Sequence, residues 1–414
     1  METFNNVVLS IKDFLWGPIM LCLLIGTHVL LTIRTKGIQR KTFTGVKLSV
    51  TPDKEASGDI GGFAALATAL AATIGTGNIV GVATAIGIGG PGAVFWMWFT
   101  GLLGMATKYG EATLAVKYRV KAKDGSFIGG PMYALERGLG HKWLGVLFAI
   151  FTGIACFGIG NGTQGNSITG MVNDTFGVSP YITGAILTIL TGVVIIGGVK
   201  SIAKVCEKLV PFMAGFYIIG CIIILFLNGS YVLPALKLIV SSAFTPKAAG
   251  GGFIGSTVMM AIRFGIARGL FTNEAGLGSA PIVDAAAVTR NPVRQGLIAM
   301  TGVFWDTVIV CALTGLVLVS SIMKDPAGMT GGDLSSAAFG NIPVIGPIVL
   351  TIGLITFAWS TILGWSYYGE RCWVYLCGQK AIMPFRIAWT IVVFIGSVVS
   401  LDLIWGIADI LNAL

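Results

Sequence analysis

The chain has 414 residues, of which 55% are apolar and only 11% charged, with 59 glycines and a mean hydropathy of +0.86. A soluble domain carries about 25% charged residues, so this composition excludes a water-soluble enzyme and a disordered chain. The excess of 27 Lys and Arg over 18 Asp and Glu would suggest nucleic acid in a soluble protein, but here its distribution decides its meaning.

A bilayer core about 30 Å thick needs roughly 20 apolar residues of helix to cross it. Apolar runs punctuated by Gly and Pro predict helices over 14–33, 62–88, 91–116, 143–171, 180–198, 209–227, 251–281, 296–322, 343–369, 384–400 and 402–414. The expected fold class is therefore an all-α membrane protein with eleven transmembrane helices. The N-terminus has neither the basic region nor the cleavage site of a signal peptide, so 14–33 is expected to remain as a first span. The last run is too short for a full crossing and reads as an incomplete helix. Seven cysteines are scattered along the chain without zinc-type spacing, and even the nearest pair, Cys372 and Cys377, has no histidine beside it.

Placing residue 1 outside makes 34–60, 117–142, 199–208, 282–295 and 370–386 cytoplasmic. Those segments and Lys108, at the inner end of the third run, then hold 21 of the Lys and Arg residues, against four on the outside. This is a positive-inside pattern with the N-terminus outside. The net charge thus reports topology, and no nucleic-acid partner is expected.

Two runs are interrupted. Ala71-Ala72-Thr73-Ile74-Gly75-Thr76-Gly77-Asn78 is poor helix interior, since each Gly costs about 1 kcal/mol relative to Ala. Unwinding at membrane depth is tolerated where the freed amides and carbonyls find partners in protein or in a cavity; close packing through small residues is the other reading. The second interruption is Gly269-Leu270-Phe271-Thr272-Asn273-Glu274-Ala275-Gly276-Leu277-Gly278. Its Glu274 lies close to Arg268 in sequence, and charges at such depth pair or line a polar cavity. The two runs lie five spans apart, hence cross in opposite senses, and both open with Gly-Gly-Phe, at Gly61 and Gly251. Paired broken helices in matching places of two inverted halves point to a secondary transporter with a midplane site. The halves are expected at 61–227 and 251–414 of a single transporter domain.

Half-helix N-termini at such breaks suit a carboxylate, and C-terminal carbonyls suit a small cation helped by hydroxyls from another helix. Phe357-Ala358-Trp359-Ser360-Thr361 supplies those hydroxyls, although adjacent hydroxyl residues also bond back to their own helix. Gln164 is either interhelical glue or a polar substrate contact. Trp365, one turn beyond Thr361, either caps a small pocket or sits at the membrane interface.

These motifs, with Gly75-Thr76-Gly77-Asn78-Ile79-Val80-Gly81, Gly89-Gly90-Pro91-Gly92-Ala93-Val94-Phe95-Trp96-Met97-Trp98, Gly129-Gly130-Pro131-Met132-Tyr133 and the run from Gly269 to Pro281, make the chain resemble the alanine or glycine:cation symporter family over its whole length. The resemblance implies a LeuT-type fold: two inverted five-helix repeats with discontinuous helices, plus one extra N-terminal helix at 14–33. It places sodium on the carbonyls of Ala71, Ile74 and Phe357 and the hydroxyls of Ser360 and Thr361. The substrate carboxylate would meet the amides of Thr76, Gly77 and Asn78, and the amino group would face Phe271 and Thr272. Gln164 would add a direct or water-mediated contact, and Trp365 a wall that leaves room for a small side chain. The tenth core helix, starting near Leu401, is expected to be cut short.

The expected activity is inward symport of alanine and glycine with sodium as coupling ion, by alternating access in the cell membrane. A cation site of five oxygens without a carboxylate fits Na⁺ better than H⁺. A proton-coupled carrier is the alternative, and an ion channel the next, although the deep ionisable residues Glu111, Arg263, Arg268, Glu274, Asp306 and Asp409 look scattered and form no pore ring. With His28 and His141 as the only histidines and no P-loop, neither a His-based enzyme nor an ATP-driven pump is expected.

Overall fold

The computed structural model describes residues 17–53, 56–246, 257–325 and 333–399. Helix α1, Pro18–Arg34, bends by 66° into a short arm that ends in α2, Thr42–Ser49. The next run is divided into α3, Gly62–Thr73, and α4, Val80–Gly89, and leads into α5, Gly92–Lys117. A small hairpin, with Val120–Lys121 against Phe127–Ile128, follows. Then come α6, Lys142–Phe176, α7, Pro180–Ile196, α8, Gly198–Leu227, and α9, Gly229–Ser242. Helix α10, Val258–Asn273, gives way to irregular chain and one helical turn at Pro281–Asp284. The remaining elements are α11, Pro292–Lys324, α12, Asp333–Gly340, α13, Ile345–Cys377, and α14, Ile382–Val398.

Five of these helical stretches are long and apolar enough to cross a bilayer, namely α6, α8, α11, α13 and Gln379–Val398; the bent α1–α2 pair makes a sixth if it counts as one span. The expected eleven spans are not reached by this measure, for a physical reason. Helices α3, α4 and α7 have 12, 10 and 17 residues, and at 1.5 Å per residue even the longest reaches only about 25 Å. Helix α10 has only 16 residues, and α5 carries Lys108, Glu111 and Lys117. The opening Gly251-Gly252-Phe253 and the short final run at 402–414, including its start near Leu401 and Asp409, lie outside the described residues. Helix α8 starts ahead of the expected 209 because Lys200, Lys204 and Lys208 share one face of a polar extension.

Helix α5 packs on α1, α10 and α11, while α13 packs on α3, α6 and α8, and α14 on α6 and α7. The broken α3–α4 pair lies between these groups, α3 touching α8 and α13 and α4 touching α10. Two close approaches set the spacing. A Cβ at Gly364 would fall 2.7 Å from the Ala72 Cβ, and one at Gly265 would fall 2.3 Å from the Ala93 carbonyl oxygen. Lipid offers apolar side chains no gain on leaving it, so backbone contact through small residues is what draws such helices together. The outward faces of α7 and α8 expose Ile189, Val193, Ile219 and Phe226.

Candidate functional site

The first break runs from Ile74 to Ile79. Ile74 and Gly75 are extended, and Thr76–Asn78 forms a single 3₁₀ turn. Asn78 closes it from within: its Oδ1 accepts from Gly75 N at 2.9 Å, and its own amide donates to Gly75 O at 3.2 Å. Neither glycine of the Gly-x-Gly pair is there for an unusual backbone angle. They are there for space. A Cβ on Gly75 would lie 2.5 Å from Thr361 Oγ1, and one on Gly77 would lie 2.7 Å from Thr272 Cγ2 and 3.1 Å from the Phe271 ring. The break is thus seated between α13 on one side and α10 on the other.

On the α13 side, five oxygens converge. Ser360 Oγ lies 3.1 Å from Ala71 O and 2.8 Å from Phe357 O, and Thr361 Oγ1 lies 3.3 Å from Ile74 O and 3.0 Å from Phe357 O. Two hydroxyl protons cannot serve four such contacts at once, because each hydroxyl donates a single hydrogen. The cluster is therefore richer in acceptor oxygens than in hydrogens, which is the composition of a site for a hard cation.

Beside this cluster opens a small cavity lined by Gly75, Gly77, Gln164, Phe271, Glu274 and Trp365 among others. Gln164 bridges two elements: its Oε1 accepts from Thr76 N at 3.3 Å and its Nε2 donates to Ile159 O at 3.0 Å. It reaches the break because α6 widens into a π-helical turn at Gly158–Gly162, a feature often found at functional positions. Gly160 in that turn lets Trp365 pack directly on it, since a Cβ there would sit 2.3 Å from Trp365 Cβ. Trp365 is 5% exposed, so it belongs to the pocket wall and not to a membrane-interface belt.

Four of the residues expected to contact substrate, Gly77, Gln164, Phe271 and Trp365, line the cavity. The other three stand behind it. The Thr76 amide is held by Gln164, and its hydroxyl is buried without a partner among the described residues. Thr272 Oγ1 donates to Gly269 O within α10. Asn78 turns away from the cavity, its Nδ2 donating to Asp306 Oδ1 at 2.7 Å.

Of the ionisable residues that look scattered in the sequence, two, Glu111 and Glu274, come together at the second break with Lys108, and Asp306 meets the first break. Asp306 sits in a second π-helical stretch, Phe304–Cys311, where it meets Asn78 and accepts from Thr307 Oγ1 at 2.6 Å. Glu274, Lys108 and Glu111 gather at the second break. There Glu274 ends α10 in the left-handed region, with φ 53°. Lys108 Nζ donates to Glu274 O at 3.1 Å, and Glu111 Oε1 accepts from the amides of Gly276 and Gly278, each at 3.1 Å. The Glu274 carboxylate accepts from Trp365 Nε1 at 2.8 Å and from Ser279 Oγ. Lys108 and Glu111 stand three apart on α5 and so share one face, the one sequence signal that they act together.

A sequence profile described as the sodium:alanine symporter family matches residues 1–414. The chain belongs to the sodium:alanine symporter family. It is a multi-pass membrane transporter with sodium as coupling ion, and not an enzyme. This symporter is 51% identical to the sodium/alanine symporter AgcS of Methanococcus maripaludis, the alignment covering 99% of this chain and 92% of that one. It is 35% identical to the probable sodium/glutamine symporter GlnT of Bacillus subtilis, over 100% and 86% of the two chains. Among solved structures, MhsT in complex with L-phenylalanine superposes with a TM-score of 0.61 at 15% identity, over 84% of this symporter and 86% of MhsT. A Na⁺-coupled sialic acid symporter gives 0.54 at 14% identity, over 96% and 82%. These likenesses give the symporter a LeuT-type fold.

Proposed function

We propose that this symporter carries alanine and glycine into the cell with Na⁺ by alternating access, with its N-terminus outside. The observation that carries the reading is the convergence of the Ala71, Ile74 and Phe357 carbonyls with the Ser360 and Thr361 hydroxyls. Sodium takes the place of the missing protons: each hydroxyl turns a lone pair inward, and the carbonyl dipoles of the α3 terminus complete the shell. Because Ala71 and Ile74 lie at the end of the broken α3 and Ser360 and Thr361 on α13, the ion ties the two elements together, and its release lets them part. That is the coupling step.

The amino acid lies in the adjoining cavity, its carboxylate on the amides at Thr76 and Gly77, where the 3.3 Å contact from Gln164 is long enough to be displaced. The amino group turns toward Phe271, Thr272 and the second break. Asn78 shapes the first break, and Trp365 limits the side chain to a methyl group or a hydrogen. The name of AgcS supports alanine; glycine follows from the size of the pocket wall.

Alanine uptake into proteoliposomes tests this reading. An inward sodium gradient is expected to drive accumulation, and glycine but not leucine to compete. Uptake that follows a pH gradient and ignores sodium would establish the proton-coupled alternative, in whose favour stands the buried Asp306 beside Asn78. Replacing Trp365 by Ala is expected to admit leucine; an unaltered substrate range would remove the ring from the wall.

A further inference from the structure

We infer that Glu274 is a substrate-binding residue of this symporter, its carboxylate being the counter-charge for the ammonium group of the transported amino acid. The inference rests on the reading of the cavity as an amino-acid site and names the group that distinguishes an amino acid from any other small carboxylate.

Glu274 is 2% exposed and lines the same cavity as Gly75 and Gly77. Among the described residues, both hydrogen bonds on its carboxylate come from neutral donors, the Trp365 indole on Oε1 and the Ser279 hydroxyl on Oε2. Lys108 donates to the backbone oxygen of the same residue, and its charge acts on the carboxylates of both Glu274 and Glu111, so one buried lysine faces two buried carboxylates. An ionised carboxylate has room for about four hydrogen bonds, so the two neutral donors fix its orientation and leave lone pairs free. Burying such a group is costly unless an opposite charge meets it, and the same holds for an ammonium entering from water. A zwitterion bound between the two breaks satisfies both, with its negative end at the start of α4 and its positive end at the end of α10. Backbone carbonyls alone would solvate an ammonium without supplying the opposing charge.

Position in the chain explains how the carboxylate reaches the cavity. Glu274 has the left-handed backbone conformation that terminates α10, an uncommon state for a residue with a side chain. The Lys108 contact on its carbonyl holds it there. Were it helical, its side chain would follow the spiral of α10.

The test compares alanine with L-lactate, which replaces the ammonium by a hydroxyl and keeps the carboxylate and methyl. In the wild-type protein, alanine is expected to bind and to be taken up under a sodium gradient, with lactate a much weaker competitor. Glu274→Gln keeps an acceptor for Trp365 and removes the charge. It is expected to weaken alanine binding by about tenfold or more, the scale of a hydrogen bond to a charged group, while lactate competition stays within about twofold and the sodium-induced rise in melting temperature persists. Alanine affinity within about twofold of wild type in a Gln variant that still responds to sodium overturns the assignment alone. A wild-type protein that binds no alanine overturns it together with the amino-acid reading. Should the Gln variant not fold, Glu274→Asp decides: it keeps the charge but withdraws it from the cavity, so alanine must lose more affinity than lactate, and equal losses refute the proposal.

Discussion

The two interruptions of the helical core are built by opposite means. The break at Ile74–Ile79 is met directly by neutral groups, an asparagine that caps its own turn, a glutamine from α6 and two hydroxyls from α13, with the Asp306 carboxylate one step behind the asparagine. The break after Asn273 is held by charges on α5, a lysine on the last carbonyl of α10 and a carboxylate gripping two amides further on. Neutral oxygens can trade a hydrogen for a cation at little cost, whereas a charged clamp is strong and exacting, because losing one member leaves the others buried and uncompensated. The first break is suited to a reversible ion site, and the second to a fixed wall.

The sharpest way to break that contrast is to remove the clamp. Glu111→Ala strips charge-assisted acceptors from the amides of Gly276 and Gly278, and with each such bond worth about 1.5–3 kcal/mol, the melting temperature in detergent should fall by several degrees and uptake should vanish. A stable, active variant would show that the second break holds itself. Next in size is the double change Ser360→Ala and Thr361→Ala. It is expected to raise the sodium concentration for half-maximal alanine uptake by about tenfold or more, the equivalent of about 1.4 kcal/mol, with little effect on the melting temperature without sodium. An unchanged sodium requirement would remove the ion from this cluster.

Asn78→Ala tests whether the first break is self-capped. Loss of a cap costs about 1 kcal/mol, and the contact to Asp306 is lost with it, so a modest drop in stability and weaker alanine binding are expected; wild-type values of both would mean that α10 and α13 alone hold the turn.

The smallest effect is at the membrane surface. Ser126 donates to Asp124 from both its hydroxyl and its amide, and Gln379 donates from the start of the α14 segment; the two Ser126 bonds are the main reason that the Asp124 carboxyl titrates below its usual range. A depressed acid contributes its stability above its unfolded value and loses it as pH falls through its folded one. Acidification below the ordinary carboxylate range should thus raise amide exchange in the hairpin slightly, and Asp124→Asn should abolish that pH dependence.

The local part of this architecture was legible in residues alone. Apolar runs gave the helices, and Gly75-Thr76-Gly77-Asn78 marked the first break, since a paired glycine at membrane depth is visible in any reading. The reason for those glycines was not visible, because it lies in Thr361 and Thr272, hundreds of residues away along the chain. Nor was the gathering of Lys108, Glu111 and Glu274, which looked dispersed when read in order.

Sequence by itself determined that this protein lives in lipid, where its chain must interrupt its helices, and which small residues permit backbones to touch. These follow from hydropathy and from steric size, and both are properties of a residue and its neighbours in sequence. Only the tertiary structure decided which polar groups face one another. A π-helical turn adds a residue and rotates all that follows by about 100°, so the turns in α6 and α11 reset the faces on which Gln164 and Asp306 emerge. A left-handed residue at the end of α10 does the same for Glu274. Partners for buried charge are chosen by such shifts in phase and by contacts between distant helices, and no local pattern encodes either.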